Sequence, residues 1–385
     1  MKSLSPRPPA HHAPAPRPQT ARLLPLLLML LAWLSVAAGP PQWHSGHNRP
    51  IRLTWGEVQA AQAAHQGPHL QTRAAAMQDV ASGALLWQKE GDTPLPMASV
   101  TKLMTALVAL ETLAPDDVVT IPPQALNIAP GYVRMGLQAG QKVQVRTLLY
   151  GALLPSGNDA ALALAWAAAG SEQAFVDKMN AHATAWGLTH THFVNPHGID
   201  APGHESSARD LAQLARRALQ NPLIAQIVAT PSISIQGFEL HNTNQLLGQY
   251  PGAYGVKTGT TDAAGQVLIA AARRSGQGDV ITVVLHSPDR YAESEALLDA
   301  YFRHWTSFDA APQANVLNRV IGPDGRRYTL STPPIPLLLP RWQTLRLQPL
   351  RVISFNASGQ PAGLYQLWLD GSKLQEAPII FTPQP

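Results

Sequence analysis

A serine and a lysine three positions apart, Ser99 and Lys102, open an apolar stretch of the sequence, PMASVTKLM. On a helix, residues with this spacing lie on one face, so the two side chains can touch. A serine hydroxyl becomes a nucleophile when a base accepts its proton, and a lysine amine can be that base when burial or a second cation lowers its pKa. The pair alone is weak evidence and is more typical of a solvated helix face.

Two further motifs place polar residues at the ends of predicted elements. Ser156 and Asn158 begin a predicted helix in LLPSGNDAA, where such residues also serve as ordinary helix caps. Lys257 ends a predicted strand in AYGVKTGTTDAAG, and Gly259 beside it permits a close backbone approach. Lys257 is a candidate for the second cation that would hold Lys102 neutral, although a surface lysine beside a turn is the plainer interpretation.

The order and spacing of the three motifs are more specific than any one of them. Ser-x-x-Lys, then Ser-x-Asn about 55 residues later, then Lys-Thr-Gly about 100 residues further on, is the motif set of penicillin-recognising serine enzymes. Together with FVNPHGID and ESEALLDAYF, it makes the chain resemble the D-alanyl-D-alanine carboxypeptidases, which are low-molecular-mass penicillin-binding proteins. The resemblance covers about residues 74–305.

The resemblance implies three catalytic residues. Ser99 would be the acylated nucleophile and Lys102 its proton acceptor. Ser156 would relay a proton to the nitrogen of the departing D-alanine.

The resemblance also implies a set of substrate-binding residues, namely Asn158, Lys257, Thr258, Gly259, Thr260 and Arg290. Asn158 would hold the substrate amide, Lys257 would set the local potential, and Thr258 would bind the terminal carboxylate.

The oxyanion hole and a further carboxylate contact complete the implied site. Backbone N–H groups of Ser99 and Thr260 would form the oxyanion hole. Arg290, in SPDRYAES, occupies the place of a family arginine that helps to hold the carboxylate, and a guanidinium pairs bidentately with such a group. A solvated loop arginine is the alternative.

The implied function is that of a serine-type hydrolase that removes the terminal D-alanine from peptidoglycan stem peptides, with β-lactams as covalent inhibitors and no cofactor or metal. Alternatives are a DD-endopeptidase, a β-lactamase or esterase on the same fold, and a β-lactam-binding sensor. A class A β-lactamase is disfavoured, because that class favours Asp where Gly157 stands and uses a deacylating Glu motif that has no clear counterpart here.

Four histidines between positions 190 and 204 are the other candidates for chemistry: His190, His192, His197 and His204. They could bind a metal. No HExxH spacing accompanies them, so we predict that they are loop residues and that the site holds no metal.

The N-terminal segment predicts export. Residues 1–22 carry basic but no acidic side chains, and an apolar run of about 16 residues follows, from Leu23 to Ala38. This pattern is typical of a signal peptide, and the run is shorter than the ~20 residues that span a bilayer comfortably. We expect residues 1–38 to be a removed signal peptide or a retained anchor, with membrane contact only through residues 23–38 if uncut. The remaining chain is expected to be extracytoplasmic, in the periplasm, the cell envelope or the medium.

Composition adds little beyond this. The 385 residues carry a formal net charge of +4 and no long basic run, so nucleic-acid binding has no support. The absence of cysteine excludes disulfides and thiolate metal sites.

The elements that would position the motifs begin and end with strands. A hairpin is predicted within residues 74–90, and three strands near the other end at Ala253–Thr258, Gln266–Arg273 and Val280–Leu285. Helices are predicted in between and at the end, over Ser99–Leu113, Ser156–Ala169, Glu172–Trp186, Arg209–Leu219 and Ala292–Trp305.

This order predicts an α+β fold whose sheet combines both ends of the domain around a helical insert. The resemblance implies the penicillin-binding, β-lactamase-like transpeptidase fold, an antiparallel sheet with helices on both faces. We place a linker at 39–70, the DD-peptidase domain at 71–307 and a small all-β module at 308–385. A hairpin turn is predicted in the module at Asp370-Gly371.

Overall fold

The computed structural model describes residues 67–312, 318–323, 325–341 and 343–384. The predicted signal or anchor segment and most of the predicted linker lie outside these residues. Within them, no helix combines the length and the apolar character that a membrane span requires.

A five-stranded antiparallel sheet lies at the centre, in the order β2-β1-β11-β10-β9. Its strands are β1 (Ala74–Asp79), β2 (Leu85–Lys89), β9 (Ala253–Thr261), β10 (Gly265–Arg274) and β11 (Gly278–Ser287). The first strand pairs with the last, because Ala74 lies opposite Leu285 and Asp79 opposite Val280. The prediction that the sheet combines both ends of the domain is therefore confirmed.

The insert between these strands contains helices and short two-stranded ladders. The helices are α1 (Lys102–Ala109), α2 (Val145–Leu153), α3 (Asn158–Ala169), α4 (Glu172–Ala185), α5 (Ala208–Gln220) and α6 (Pro222–Val228). The ladders pair β3 (Leu95–Pro96) with β6 (Glu205–Ser206), β4 (Val118–Thr120) with β5 (Lys142–Gln144), and β7 (Ser232–Ile235) with β8 (Phe238–His241). Helices α2 and α6 were not predicted.

The sheet has a hydrophobic core on each face, because alternate residues of a strand point to opposite sides. Ala74 and Ala76 belong to the core that packs against the helices of the insert. Ala75 and Met77 belong to a second core, formed with helix α7 (Arg290–His304) on the opposite face. The chain thus adopts the predicted α+β architecture, with helices on both faces of an antiparallel sheet.

The chain beyond α7 forms short antiparallel sheets, as predicted. Its strands are β12 (Trp305–Asp309), β13 (Arg319–Ile321), β14 (Arg327–Ser331), β15 (Pro336–Pro340), β16 (Leu347–Phe355), β17 (Pro361–Leu369), β18 (Ser372–Pro378) and β19 (Ile380–Pro383). Asp370 and Gly371 form the predicted hairpin turn, with φ of +53° and +81°, between the paired residues Leu369 and Ser372. Strand β12 crosses the predicted domain limit at residue 307 and pairs with β15.

Candidate active site

Ser99 lies in a 3₁₀ turn, Ala98–Thr101, immediately before helix α1. The helix begins three residues later than predicted, but the 3₁₀ geometry also superposes side chains three residues apart. Lys102 Nζ lies 2.9 Å from Ser99 Oγ. Ala98 has a left-handed backbone, with φ of +52°, and Ser99 is half-buried. The predicted contact between the serine and the lysine is therefore present.

The other contacts of the Lys102 amine fix its orientation. Lys102 is 0% exposed, and its Nζ lies 2.8 Å from Asn158 Oδ1 and 2.5 Å from the carbonyl oxygen of His197. Asn158 Nδ2 donates to the carbonyl oxygen of Val133, which identifies the atom facing Lys102 as the amide oxygen. These two partners of Lys102 Nζ, namely Asn158 Oδ1 and the carbonyl oxygen of His197, only accept hydrogen bonds. A neutral amine that donates its two protons to them points its lone pair at Ser99 Oγ.

Burial and a neighbouring cation favour this neutral amine. The pKa of Lys102 is well below its ordinary value, first because the side chain is desolvated and second because Lys257 lies nearby, whereas Asp159 acts in the opposite direction. Lys257 is itself buried, and its desolvation together with Arg290 lowers its pKa to about 7. Neither lysine is a solvated surface residue, so the plainer interpretations of both motifs are excluded.

Ser156 and Asn158 are not helix caps. The N-cap of α3 is Gly157, and no side chain caps that end. Ser156 has a left-handed backbone, with φ of +72°, and its buried hydroxyl has no hydrogen-bond partner among the described residues. Asn158 bridges Lys102 and Val133. The motif therefore supplies one unpartnered hydroxyl and one oriented amide.

Strand β9 runs beside the turn that carries Ser99. A Cβ atom on Gly259 would lie 2.9 Å from Ala98 Cβ and 3.0 Å from Ser99 N, so only glycine allows this approach. Thr258 is 6% exposed, and its hydroxyl lies 2.5 Å from that of Thr243. The approach brings the Lys-Thr-Gly segment next to Ser99, which is where the sequence motif predicted it.

Most of the N–H groups of Arg290 donate to other groups of the protein. Its Nε donates to Gln266 Oε1 at 3.1 Å, and its Nη1 to the carbonyl oxygens of Gly259 and Val267 at 2.8 and 3.2 Å. Its Nη2 donates to Thr260 Oγ1 at 2.5 Å. Of the five N–H groups of a guanidinium, this leaves one on Nη2, too few for the bidentate pairing that was expected. Because Thr260 Oγ1 accepts from Arg290, its proton is free for a ligand.

A cavity of about 430 Å³ opens over these groups. Its lining includes Ser99, Tyr132, Val133, Ser156, Asn158, Thr260 and Asp262. A larger cavity of about 580 Å³, lined by residues of the β1–β2 turn and of α5, contains no paired nucleophile and base. The smaller cavity is therefore the candidate active site.

The four histidines are held by other contacts in the described residues, where no cluster of three or more metal-ligating side chains occurs. Thr101 Oγ1 donates to the carbonyl oxygen of Ala98 at 2.7 Å, so it accepts from His204 Nε2 at 2.8 Å. The N–H of Val194 donates to His204 Nδ1. Burial, with His192 and Lys102 nearby and Asp200 opposing them, lowers the pKa of His204 to about 4.

Several contacts of the site were not predicted. They are the His197 carbonyl oxygen on Lys102, the Val133 carbonyl oxygen on Asn158, and the buried carboxylate of Asp159. Backbone atoms leave no signal in a motif. Asp159 directly follows Asn158, but an acidic residue in a first helical turn has an ordinary electrostatic explanation.

A serine on a tight turn, a buried lysine facing it and an antiparallel sheet covered by helices define an acyl-transfer enzyme of the penicillin-recognising type. The family model described as D-alanyl-D-alanine carboxypeptidase matches residues 60–289. D-alanyl-D-alanine carboxypeptidase DacC of Escherichia coli is 34% identical over 346 residues, which are 83% of this chain and 86% of that protein.

Solved structures agree with this class. Penicillin binding protein 6B from Escherichia coli superposes with a TM-score of 0.68 at 29% identity, covering 81% of this chain and 96% of that one. The Streptomyces K15 DD-transpeptidase gives a TM-score of 0.59 at 34% identity, covering 62% and 99%. The chain belongs to the D-alanyl-D-alanine carboxypeptidase family and is a serine-type hydrolase of that family.

Proposed function

We propose that the chain removes the terminal D-alanine of peptidoglycan stem peptides through an acyl-enzyme on Ser99. The observation that carries this proposal is the buried Lys102 amine, 2.9 Å from Ser99 Oγ. Its two other partners only accept hydrogen bonds, so the lone pair of a neutral amine faces the serine. Such a base needs no metal or cofactor to activate the hydroxyl.

The first half-reaction forms an ester. Ser99 Oγ attacks the carbonyl carbon of the penultimate D-alanine while its proton moves to Lys102 Nζ. The C–N bond then breaks, and the departing D-alanine nitrogen takes up a proton. The Ser156 hydroxyl is the proposed relay for that proton, because it is buried and has no partner in the part of the chain that the structure describes.

The second half-reaction is hydrolysis of the ester. A water molecule attacks the acyl carbon, Ser99 Oγ takes back a proton, and the shortened peptide leaves. Backbone N–H groups of Ser99 and Thr260 are the proposed oxyanion hole, which the close approach of β9 to the turn supports.

The carboxylate of the substrate has a proposed place beside β9. Lys257 and Arg290 make the local potential positive, and Thr258 lies on the same strand. Thr260 contributes the hydroxyl that Arg290 orients. With Arg290 limited to one free N–H, we propose that it acts mainly through Thr260 and less through direct pairing.

The family supports proposals about the partners and the location. Peptidoglycan stem peptides are the proposed substrates and β-lactams the proposed covalent inhibitors. An extracytoplasmic location is proposed from the N-terminal pattern and from the substrate. We also propose that residues 23–38 anchor the chain to the membrane if this segment is not cut.

The test is to incubate the purified chain and its Ser99→Ala variant with a synthetic pentapeptide ending in D-Ala-D-Ala and to follow product masses. We expect the parent to release one D-alanine and the variant none, with unchanged circular dichroism in both. Ser234→Ala, an exposed serine on β7, is the matched control and should retain full turnover. Comparable turnover by Ser99→Ala would contradict the proposal.

Two outcomes would favour the alternatives. A penicillin adduct on Ser99 without release of D-alanine from the pentapeptide would favour a sensor or an enzyme acting on cross-links. Transfer of the acyl group to an added amine in place of water would favour transpeptidation, the reaction that names the Streptomyces relative.

A further inference from the structure

Asp159 is a buried carboxylate outside the three motifs. It is 0% exposed and lies in the first turn of α3, next to Asn158. No cation lies within ion-pairing distance of it among the described residues. A buried charge without a counter-ion is costly unless hydrogen bonds compensate for it.

Besides the N–H of Ala160, which donates to Oδ1 at 3.0 Å, the compensating bonds come from one loop. Residues 130–137, here called the wall loop, direct three consecutive N–H groups at the carboxylate. Met135 N donates to Oδ1 at 2.8 Å, and Gly136 N and Leu137 N donate to Oδ2 at 3.0 and 3.1 Å. Hydrogen bonds from neutral donors to an ionised acceptor are among the stronger ones in proteins.

The wall loop is also part of the active site. Tyr132 and Val133 line the cavity above Ser99 and are 39% and 51% exposed. The carbonyl oxygen of Val133 accepts from both the backbone N–H and the Nδ2 of Asn158, each at 3.0 Å. The loop therefore helps to orient the amide that holds Lys102.

We propose that Asp159 is a positioning residue, whose carboxylate holds the wall loop against α3 and thereby keeps Asn158 and Lys102 aligned on Ser99. The mechanistic part of this proposal rests on the function proposed above. The proposal predicts that replacing Asp159 has two separable effects: the wall loop loosens, and the Lys102 amine is displaced from Ser99.

Asparagine is the sharpest substitution at this position. It keeps the size of the side chain but has one carbonyl oxygen where the carboxylate has two. Its NH₂ group would face an N–H donor of the loop, so at least one of the three loop bonds is lost. The matched control is Glu293→Gln. Glu293 is also buried in the first turn of a helix and accepts from the N–H of Thr72 at 2.8 Å, but it belongs to α7 on the other face of the sheet.

The structural readout does not depend on activity. Arg134 is an exposed trypsin site within the wall loop. In Asp159→Asn we expect tryptic cleavage after Arg134 and faster hydrogen exchange at Met135, Gly136 and Leu137. In Glu293→Gln we expect neither. Unchanged protection of these three amides in Asp159→Asn would overturn the proposal, even if activity were lost.

The kinetic readout tests the alignment of the amine. We expect Asp159→Asn to lose about 10- to 100-fold in kcat/KM for the pentapeptide, the size of effect that a small misplacement of reacting groups produces. The rate of penicillin acylation at Ser99 should fall with it. Full rates in a variant with an exposed wall loop would separate the loop from catalysis and overturn the proposal.

The direction in which the pH profile moves distinguishes the electrostatic effect of Asp159 from a loosening of the wall loop alone. The charged groups that act on Lys102 are Lys257 on β9 and Asp159 on α3, and Lys102 in turn lowers the pKa of the neighbouring His197 and His204. Asp159 is the anion among them, so its removal lowers the pKa of Lys102 further. The acidic limb of kcat/KM should move to lower pH in Asp159→Asn, and an unmoved limb would contradict the electrostatic part. If the parent itself released no D-alanine, the exchange and proteolysis results would still decide the structural part.

Discussion

Gly198 shows how a residue without a side chain can fix the position of Ser99, the proposed nucleophile. Its φ is +89°, and a Cβ atom there would overlap the carbonyl oxygen of Ala98 and lie 2.9 Å from Ser99 N. Gly187, at the end of α4, also has a positive φ, of +69°, but a Cβ atom there would have no neighbour within 4 Å. Alanine at Gly187 would therefore introduce backbone strain alone, whereas alanine at Gly198 would add a displacement of the turn that carries Ser99.

We expect Gly198→Ala to lower kcat/KM by about 100-fold, because the turn carrying Ser99 must shift. Gly187→Ala should cost only about 1 kcal/mol of unfolding free energy, which is the strain of an alanine at positive φ. Its kcat/KM should equal that of the parent. Peptide turnover and urea unfolding of both variants check the pair, and equal kinetic losses would count against displacement of the turn.

Residues that act through their side chains in a fixed order could be predicted from the sequence. Ser99, Lys102 and Lys257 were identified by spacing, and the structure brings them together. Contacts through backbone atoms, such as the carbonyl oxygens of His197 and Val133, could not be predicted, because every residue carries a carbonyl group whatever its type. The left-handed backbones of Ala98 and Ser156 were equally hidden, since neither residue type favours that conformation.

At the scale of elements, the turn Ala98–Thr101 is held by a hydrogen-bonded chain. The hydroxyl of Thr101 joins the carbonyl oxygen of Ala98 to the ring of His204. Thr105, one helical turn further on, directs its hydroxyl elsewhere and donates to the carbonyl oxygen of Pro196 at 2.5 Å. Both threonines are 0% exposed.

We expect Thr101→Val and Thr105→Val each to lower the unfolding free energy by about 1–3 kcal/mol, because each leaves buried polar groups unpaired. Only Thr101→Val should also slow acylation of Ser99 by penicillin. Stopped-flow acylation beside urea unfolding checks this. A parallel kinetic loss in Thr105→Val would indicate a general loosening of α1.

Elements with a clear period or clear stop signals were predicted well, and two short helices were not. Pro222 ended the predicted helix correctly, yet it also begins α6, because proline at the first helical position lacks only an N–H that would be unpaired anyway. The side chain of Asn221 accepts from Leu223 N and Ile224 N and caps the new helix. Helix α2 contains Val145, Thr147 and a glycine, which are weak helix formers, so burial and not propensity decides its conformation.

For the whole molecule, two buried histidines make stability depend on pH. The pKa of His197 is lowered to about 3, chiefly by burial and then by Lys102 and His204, and that of His204 to about 4. In the unfolded chain both titrate near 6.5. The folded state therefore resists protonation below pH 6.5, and its stability falls as the pH falls from 6.5 toward 4. Glu172, whose pKa burial raises, opposes part of this loss.

We expect the unfolding free energy to fall by roughly 1.4 kcal/mol per pH unit for each histidine within that window. His204→Gln should retain a donor toward Thr101 while removing one titration, so its slope between pH 6 and pH 4.5 should be smaller than that of the parent. Urea unfolding at four pH values measures both slopes. Identical slopes would show that His204 does not contribute.

The sheet also imposes an order of events on a newly made chain. Thr72 Oγ1 donates to the carbonyl oxygen of Leu285, 213 residues further along, and β1 lies inside the sheet with β11 as its neighbour. Until synthesis has passed β11, strand β1 can pair only with β2 and leaves its other edge open. Long-range pairing of this kind is slow, and an open strand edge invites pairing with other chains. The turn that carries Ser99 and the helix that carries Asn158 have been synthesised by then, so the active site is assembled only when the last strand of the sheet is added.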